Sequence, residues 1–137
     1  MLERRYLLDT NILSDLIRNP EGPVFHRIAE VSESAVCTSI IVACELRYGA
    51  FKKNDLGLTS KVRQLLDVLE VLPFQPEADW QYSRIRAELE RVGTPIGAND
   101  LLIAAQTLAE GLVLVTANTK EFCRIEGLVV ENWLLPS

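Results

Sequence analysis

The chain has 137 residues, of which 48% are hydrophobic and 24% charged; that is enough for one domain with a real core and too few for a second. With no tract rich in Ser, Gln or Gly, this composition excludes a disordered chain. A net charge of −5, from 19 acidic against 14 basic residues, excludes a broadly basic nucleic-acid-binding surface, so a nucleic-acid function would need a local positive patch or metal ions.

In chain order, residues 5–9 read as a strand and "NILSDLIRN" as a helix. "GPVFHRIAEV" is a second helix opened by Pro23 at its first turn, and "AVCTS" a strand. Ser39 is placed as the N-cap of "IIVACELRYGAFKK". Helices follow at about 58–67 and 76–92, with "VLEVLPF" between them as a buried strand bounded by Pro73 and Pro76. Positions 93–97 form a loop, "NDLLIAAQTLAE" a helix closed by Gly111, and "LVLVT" the clearest strand. A short helix at "TKEF" and a last strand at "LVVEN" complete the chain. Strands alternating with helices predict an α/β fold: one domain over 1–137, with a mostly parallel sheet covered by helices on both faces.

The N-terminal "MLERRYLLD" has only a short apolar run and no small-residue cleavage site, and no stretch approaches 18 apolar residues without a charge. A cytoplasmic chain that neither enters nor crosses a membrane is expected. Cys37, Cys44 and Cys123 form no CxxC pair, and His26 is the one histidine, which argues against a zinc site.

In open parallel sheets, ligands bind beyond the carboxyl ends of the strands. Asp9 stands at such an end, and so does "TAN" at 116–118. Asp9, Thr10 or Asn11 would also serve simply as a helix cap, and for Thr10 and Asn11 capping is preferred over support of a site. Glu45, four residues after Ile41 and a turn from Tyr48 and Phe51, is carried by helical spacing to the edge of an apolar stripe. A carboxylate there needs a partner, either a basic neighbour such as Arg47 or a metal. Asp100 stands in a first helical turn, where a cap or dipole role is ordinary, yet its i+3 and i+4 neighbours Ile103 and Ala104 are apolar and point its face inward.

Together these stations resemble one family. Asp9 in "LLDTNIL", Glu45 in "ACELRYGA", Asp100 in "PIGANDLLIAA" and the segment "LVTANTKEF" are similar to the four acidic stations of PIN domain nucleases. The resemblance spans essentially the whole chain, and "IRAELERVGTPIGANDLLIAAQTLAEGLVLVTANTKEFCRIEGLVVENW" is similar in detail to VapC-type toxins of toxin-antitoxin modules. It implies a three-layer α/β/α fold and a metal-dependent endoribonuclease, with Asp9, Glu45 and Asp100 as catalytic acids and metal ligands. At the fourth station many members carry Asp where this chain has Asn118, with Glu121 a turn further on; either is a candidate. The implied cofactor is Mg²⁺, with Mn²⁺ able to substitute. The implied partners are RNA, a cognate antitoxin and a second toxin copy, in an assembly that binds operator DNA through the antitoxin.

The chemistry suits the acids. Phosphodiester hydrolysis needs an activated water and neutralised phosphoryl charge, which a hard divalent cation held by carboxylates provides, and the cation also offsets the mutual repulsion of the acids. Arg47, Lys52, Lys53, Lys61 and Arg63 are candidates for an RNA-facing patch, although a solvated helix face accounts for most of them. Two alternatives remain at this level. A haloacid dehalogenase-like phosphatase would use Asp9 as nucleophile, but it requires an Asp where Asn11 stands and leaves Glu45 unexplained. A PIN-fold binding partner whose catalysis has lapsed would be supported by Asn118 alone.

Overall fold

The computed structural model describes residues 5–136, so the first four positions of the N-terminal stretch lie outside the described residues. The elements in chain order are β1 (Tyr6–Leu8), α1 (Thr10–Arg18), α2 (Pro23–Val31), β2 (Val36–Ser39), α3 (Ile40–Lys53), α4 (Leu56–Val68) and β3 (Glu70–Leu72), followed by α5 (Ala78–Arg91), α6 (Ala98–Glu110), β4 (Val113–Val115), α7 (Thr119–Phe122) and β5 (Val130–Glu131). Local chemistry sets many of these bounds. Pro23 opens α2 where its missing N–H costs nothing, Asp55 caps α4 through Leu58 N and so starts that helix earlier than its apolar pattern suggests, and Gly111 ends α6 in the left-handed region at φ 67°.

The five strands form one sheet in the order β3-β2-β1-β4-β5, and every pair is parallel. Leu7 and Leu8 point to opposite faces and both are fully buried, as are all three residues of β4. Both faces of the sheet are therefore covered, giving the α/β/α layering that the alternation predicts. The C-terminal segment is pinned by Trp133, which is buried against Tyr6 with ring centroids 5.2 Å apart and donates through Nε1 to Glu131.

The segment at 68–74 departs from expectation. β3 is an edge strand rather than a buried one: Glu70 is exposed, and only Leu72 reaches the core. Its last turn is tied down by a residue outside the apolar pattern. Gln106, 1% exposed on α6, donates through Nε2 to the carbonyls of Leu72 and Pro73 at 3.0 Å each and accepts from Ser39 Oγ, the group that caps α3. One side chain thus links β2, β3 and two helices. Gln106→Leu keeps the volume but strands two carbonyls and a buried hydroxyl, so it should cost about 2–3 kcal/mol. The thermal midpoint should fall by roughly 6–12 °C, and an unchanged midpoint would show that the link carries no stability.

The chain order runs outward from β1 to β3 on one side and returns to β4 and β5 on the other. The sheet's topological switch point therefore lies between the carboxyl ends of β1 and β4, where an open α/β sheet forms its crevice.

Candidate active site

At that switch point Asp9 follows β1, and its backbone N–H donates to the carbonyl of Val115 at the end of β4, 2.9 Å away. Asp9 both caps a helix and faces the crevice. One carboxylate oxygen caps α1 by accepting from Thr10 N at 2.8 Å; the other accepts from Thr116 Oγ1 at 2.8 Å and Asn11 Nδ2 at 3.4 Å. With the residue only 3% exposed, burial pushes its carboxyl above the usual carboxylate range. The bonds from Thr116 and Thr10 oppose that rise, and the nearby Glu45 charge adds to it.

Because Asp9 takes the cap, Thr10 and Asn11 are free for other work, contrary to the capping role preferred for them from sequence. Thr10 Oγ1 donates to one oxygen of Glu45. Asn11 reaches Thr116 Oγ1 through its amide nitrogen at 3.3 Å and accepts from Ala117 N at 2.9 Å. The buried core stripe of α3 is Val42, Ala43, Leu46 and Ala50, whereas Tyr48 and Phe51 are 64% and 68% exposed. Glu45 borders that stripe without the flanking aromatics the spacing suggested. Its second oxygen accepts from Asn99 Nδ2 at 3.2 Å, and no ion pair among the described residues involves it. The pairing with Arg47 therefore does not form.

Asp100 is the third residue of α6, whose N-cap is Gly97 with no side-chain cap bond. It faces the switch point rather than capping its helix, and Ile103 and Ala104 are fully buried as the spacing required. Burial, a hydrogen bond shared with Glu121 and the charges of Asp9, Glu121 and Glu45 push its carboxyl up to about 7. Asn118 sits between the last two acids: its Nδ2 lies 3.4 Å from Asp100 Oδ2 and 3.1 Å from Glu121 Oε2. In this arrangement Asn118 presents donors, and Glu121 supplies the fourth negative group.

All five predicted positions thus meet at one sheet edge. Two further residues join them: Thr116, which opens the "TAN" segment expected at this strand end without a role of its own, and Asn99, which the sequence did not single out. Thr116, fully buried, donates to Asp9 and accepts from Asn11 and from Asn118 N at 3.0 Å. Asn99 orients Glu45 from the start of α6. The signal for Thr116 was its place directly after the β4 apolar run; nothing local distinguishes Asn99. Among the described residues no three His, Cys, Asp or Glu side chains are drawn tightly enough together to enclose an ion. Still, the donor set is all oxygen, as Mg²⁺ prefers, and the proton held near neutrality at Asp100 marks charge that a cation would replace.

The sequence pattern of the PIN domain family matches residues 6–128. The chain belongs to the PIN domain family. Among PIN proteins it is similar to Ribonuclease VapC2 of Rickettsia felis, 39% identical over 93% of this chain and 97% of that one. It is also similar to the tRNA(fMet)-specific endonuclease VapC of Salmonella typhimurium, 38% identical over 94% and 98%. The solved structure of DNA-bound VapBC from Salmonella typhimurium superimposes with a TM-score of 0.88 at 37% identity, covering 96% of this chain and 99% of that one. VapBC2 from Rickettsia felis, bound to a fragment of its promoter DNA, superimposes with a TM-score of 0.84 at 40% identity, over 93% and 98%. This PIN domain is therefore a VapC-family chain over nearly its full length, and the haloacid dehalogenase-like reading of Asp9 falls away.

Proposed function

We propose that this PIN domain is the toxin of a toxin-antitoxin module, an endoribonuclease that depends on Mg²⁺ or Mn²⁺. The observation that carries the reading is the meeting of Asp9, Glu45, Asp100 and Glu121 at the switch point, with Asp100 pushed to about 7 by burial and its acidic neighbours.

In this reading Asp9, Glu45 and Asp100 hold the cation, and Glu121 or Asn118 completes the set. The bound cation supplies charge neutralisation at the phosphoryl group and a water of lowered pKa. The chain's own residues do the positioning. Thr116 and Thr10 N fix the Asp9 carboxylate, Thr10 and Asn99 hold the two oxygens of Glu45, and Asn118 keeps Asp100 and Glu121 together.

The related complexes, VapBC bound to DNA, support a cognate antitoxin as partner and operator DNA reached through it; a second toxin copy is part of the same proposal. Exposed Phe25 and Val68, beside a groove of about 610 Å³ lined also by Leu16, Ile28 and Leu65, support burial of this surface by a partner chain. No helix among the described residues is long and apolar enough to cross a membrane; we place the protein in the cytoplasm, where its RNA substrate resides.

Purified free of antitoxin, the protein should cleave RNA with Mg²⁺ or Mn²⁺ and stop when EDTA is added. Initiator tRNA, named for the Salmonella relative, is the first substrate to test. Cleavage that continues in excess chelator would overturn the metal mechanism. Failure to bind Mn²⁺ by calorimetry would favour the lapsed-site alternative.

A further inference from the structure

Helix α3 contains a glycine that its packing does not explain. Gly49 lies in the interior of α3, where glycine is less stable than alanine. It is not among the glycines of positive φ, and a Cβ built there would meet no atom within 4 Å. Neither strain nor crowding therefore calls for glycine. What remains is close approach by something outside the fold.

The surroundings indicate what approaches. Gly49 lies one turn beyond Glu45 and one turn before Lys53, and the three line a cleft of about 230 Å³ together with Thr10 and Arg18. Thr10 is the residue that holds Glu45, so the cleft opens directly off the acids. No ion pair among the described residues involves Lys53, and Arg18 makes only a 4.0 Å contact with Asp15. Two available cations thus line a cleft on a chain of net charge −5. Lys53 stands about 12 Å along the helix from Glu45 at 1.5 Å per residue, too far to serve the scissile phosphate and suited to a neighbouring one.

We propose that the ribose-phosphate backbone of the substrate RNA leaves the acid site along this cleft, crossing α3 over Gly49, with Lys53 and Arg18 neutralising phosphates beyond the one cleaved. This rests on the RNA-cleavage reading above and adds the path of the strand. A Cβ at position 49 would stand in that path while stabilising the helix.

Gly49→Ala separates the two effects. Its metal-free thermal midpoint should rise by roughly 2–6 °C, while KM for initiator tRNA, or for a short single-stranded oligoribonucleotide, should rise about 5- to 10-fold with kcat within about twofold, the pattern of lost uniform binding. Lys53→Gln should also raise KM and flatten the slope of log affinity against log salt by about 0.7, one single-strand phosphate contact. Arg86→Gln, at an exposed position on α5, should change neither. A Gly49→Ala protein of higher midpoint and unchanged KM overturns the path. So does one that keeps its KM but escapes inhibition by the antitoxin, since that assigns the cleft to a protein segment. A parent that neither binds nor cleaves RNA sinks the functional reading itself, a result distinct from a parent that cleaves normally and ignores both substitutions.

Discussion

Asp100→Asn should abolish RNA cleavage and at the same time make the metal-free protein more stable above neutral pH. In the parent the Asp100 carboxyl is held at about 7, whereas in the unfolded chain it titrates near 3.9. Between those values the folded state binds the extra proton. Stability therefore falls as pH rises from about 4 through 7 and levels off above it. Asn carries no charge and escapes that loss. After discounting for solvent screening at a partly exposed group, the gain at pH 8 is on the order of 1–2 kcal/mol, and it vanishes near pH 4 where Asp100 is protonated anyway. The stabilisation by Mg²⁺, about 2.7 kcal/mol for a parent at a hundredfold excess over Kd, should shrink in the same variant. A residue serving only the α6 dipole predicts the opposite sign: a few tenths of a kcal/mol lost and cleavage unchanged. Melts at pH 4 and 8, with and without Mg²⁺, together with one cleavage assay, separate the two.

Asp9 tests the union of scaffold and site at a single carboxylate. Asp9→Ala removes the α1 cap, worth about 0.5–2 kcal/mol, and leaves the buried Thr116 hydroxyl without its acceptor, worth a further 1–3 kcal/mol. A total loss of about 2–4 kcal/mol is expected. Asp9→Asn keeps an oxygen toward Thr10 N and should fold better than the Ala variant, yet it should lose cleavage by about a thousandfold or more, the scale of several kcal/mol of charge stabilisation. If Asp9→Asn cleaved at the parent rate, Asp9 would be a cap and nothing else.

The geometry of Asp9 shows that its two readings, helix cap and crevice residue, are compatible and not rivals. N-capping needs one carboxylate oxygen, and the second remains free to face the crevice. The weak reading of Thr10 and Asn11 has the same origin. Once Asp9 satisfies Thr10 N, both neighbours are released to support Glu45 and Thr116. Glu45 was placed correctly at the border of the stripe, but its expected aromatic flank is exposed because Tyr48 and Phe51 lie on the outer side of α3. Periodicity names the faces of a helix without saying what covers each of them.

Much of what neighbours close in sequence govern was therefore legible before the fold was known: the strand and helix segments, the Pro23 and Gly111 boundaries, the Ser39 cap and the inward face of Asp100, although the equally local Asp55 cap of α4 was missed. These depend on contacts over one or two turns, and the residues themselves record them. The acids could be named as a set only through their resemblance to a family, since their meeting depends on strand order. That order places β1 beside β4, so that Asp9 and Thr116, 107 positions apart, share a 2.8 Å hydrogen bond. Whether β3 lies at an edge, which buried polar group Gln106 satisfies, and that Asn99 rather than Arg47 takes the second oxygen of Glu45 were decided in the same way. Each is a long-range pairing whose energy exists only once the sheet has closed around it, and no local pattern in the chain encodes such a pairing.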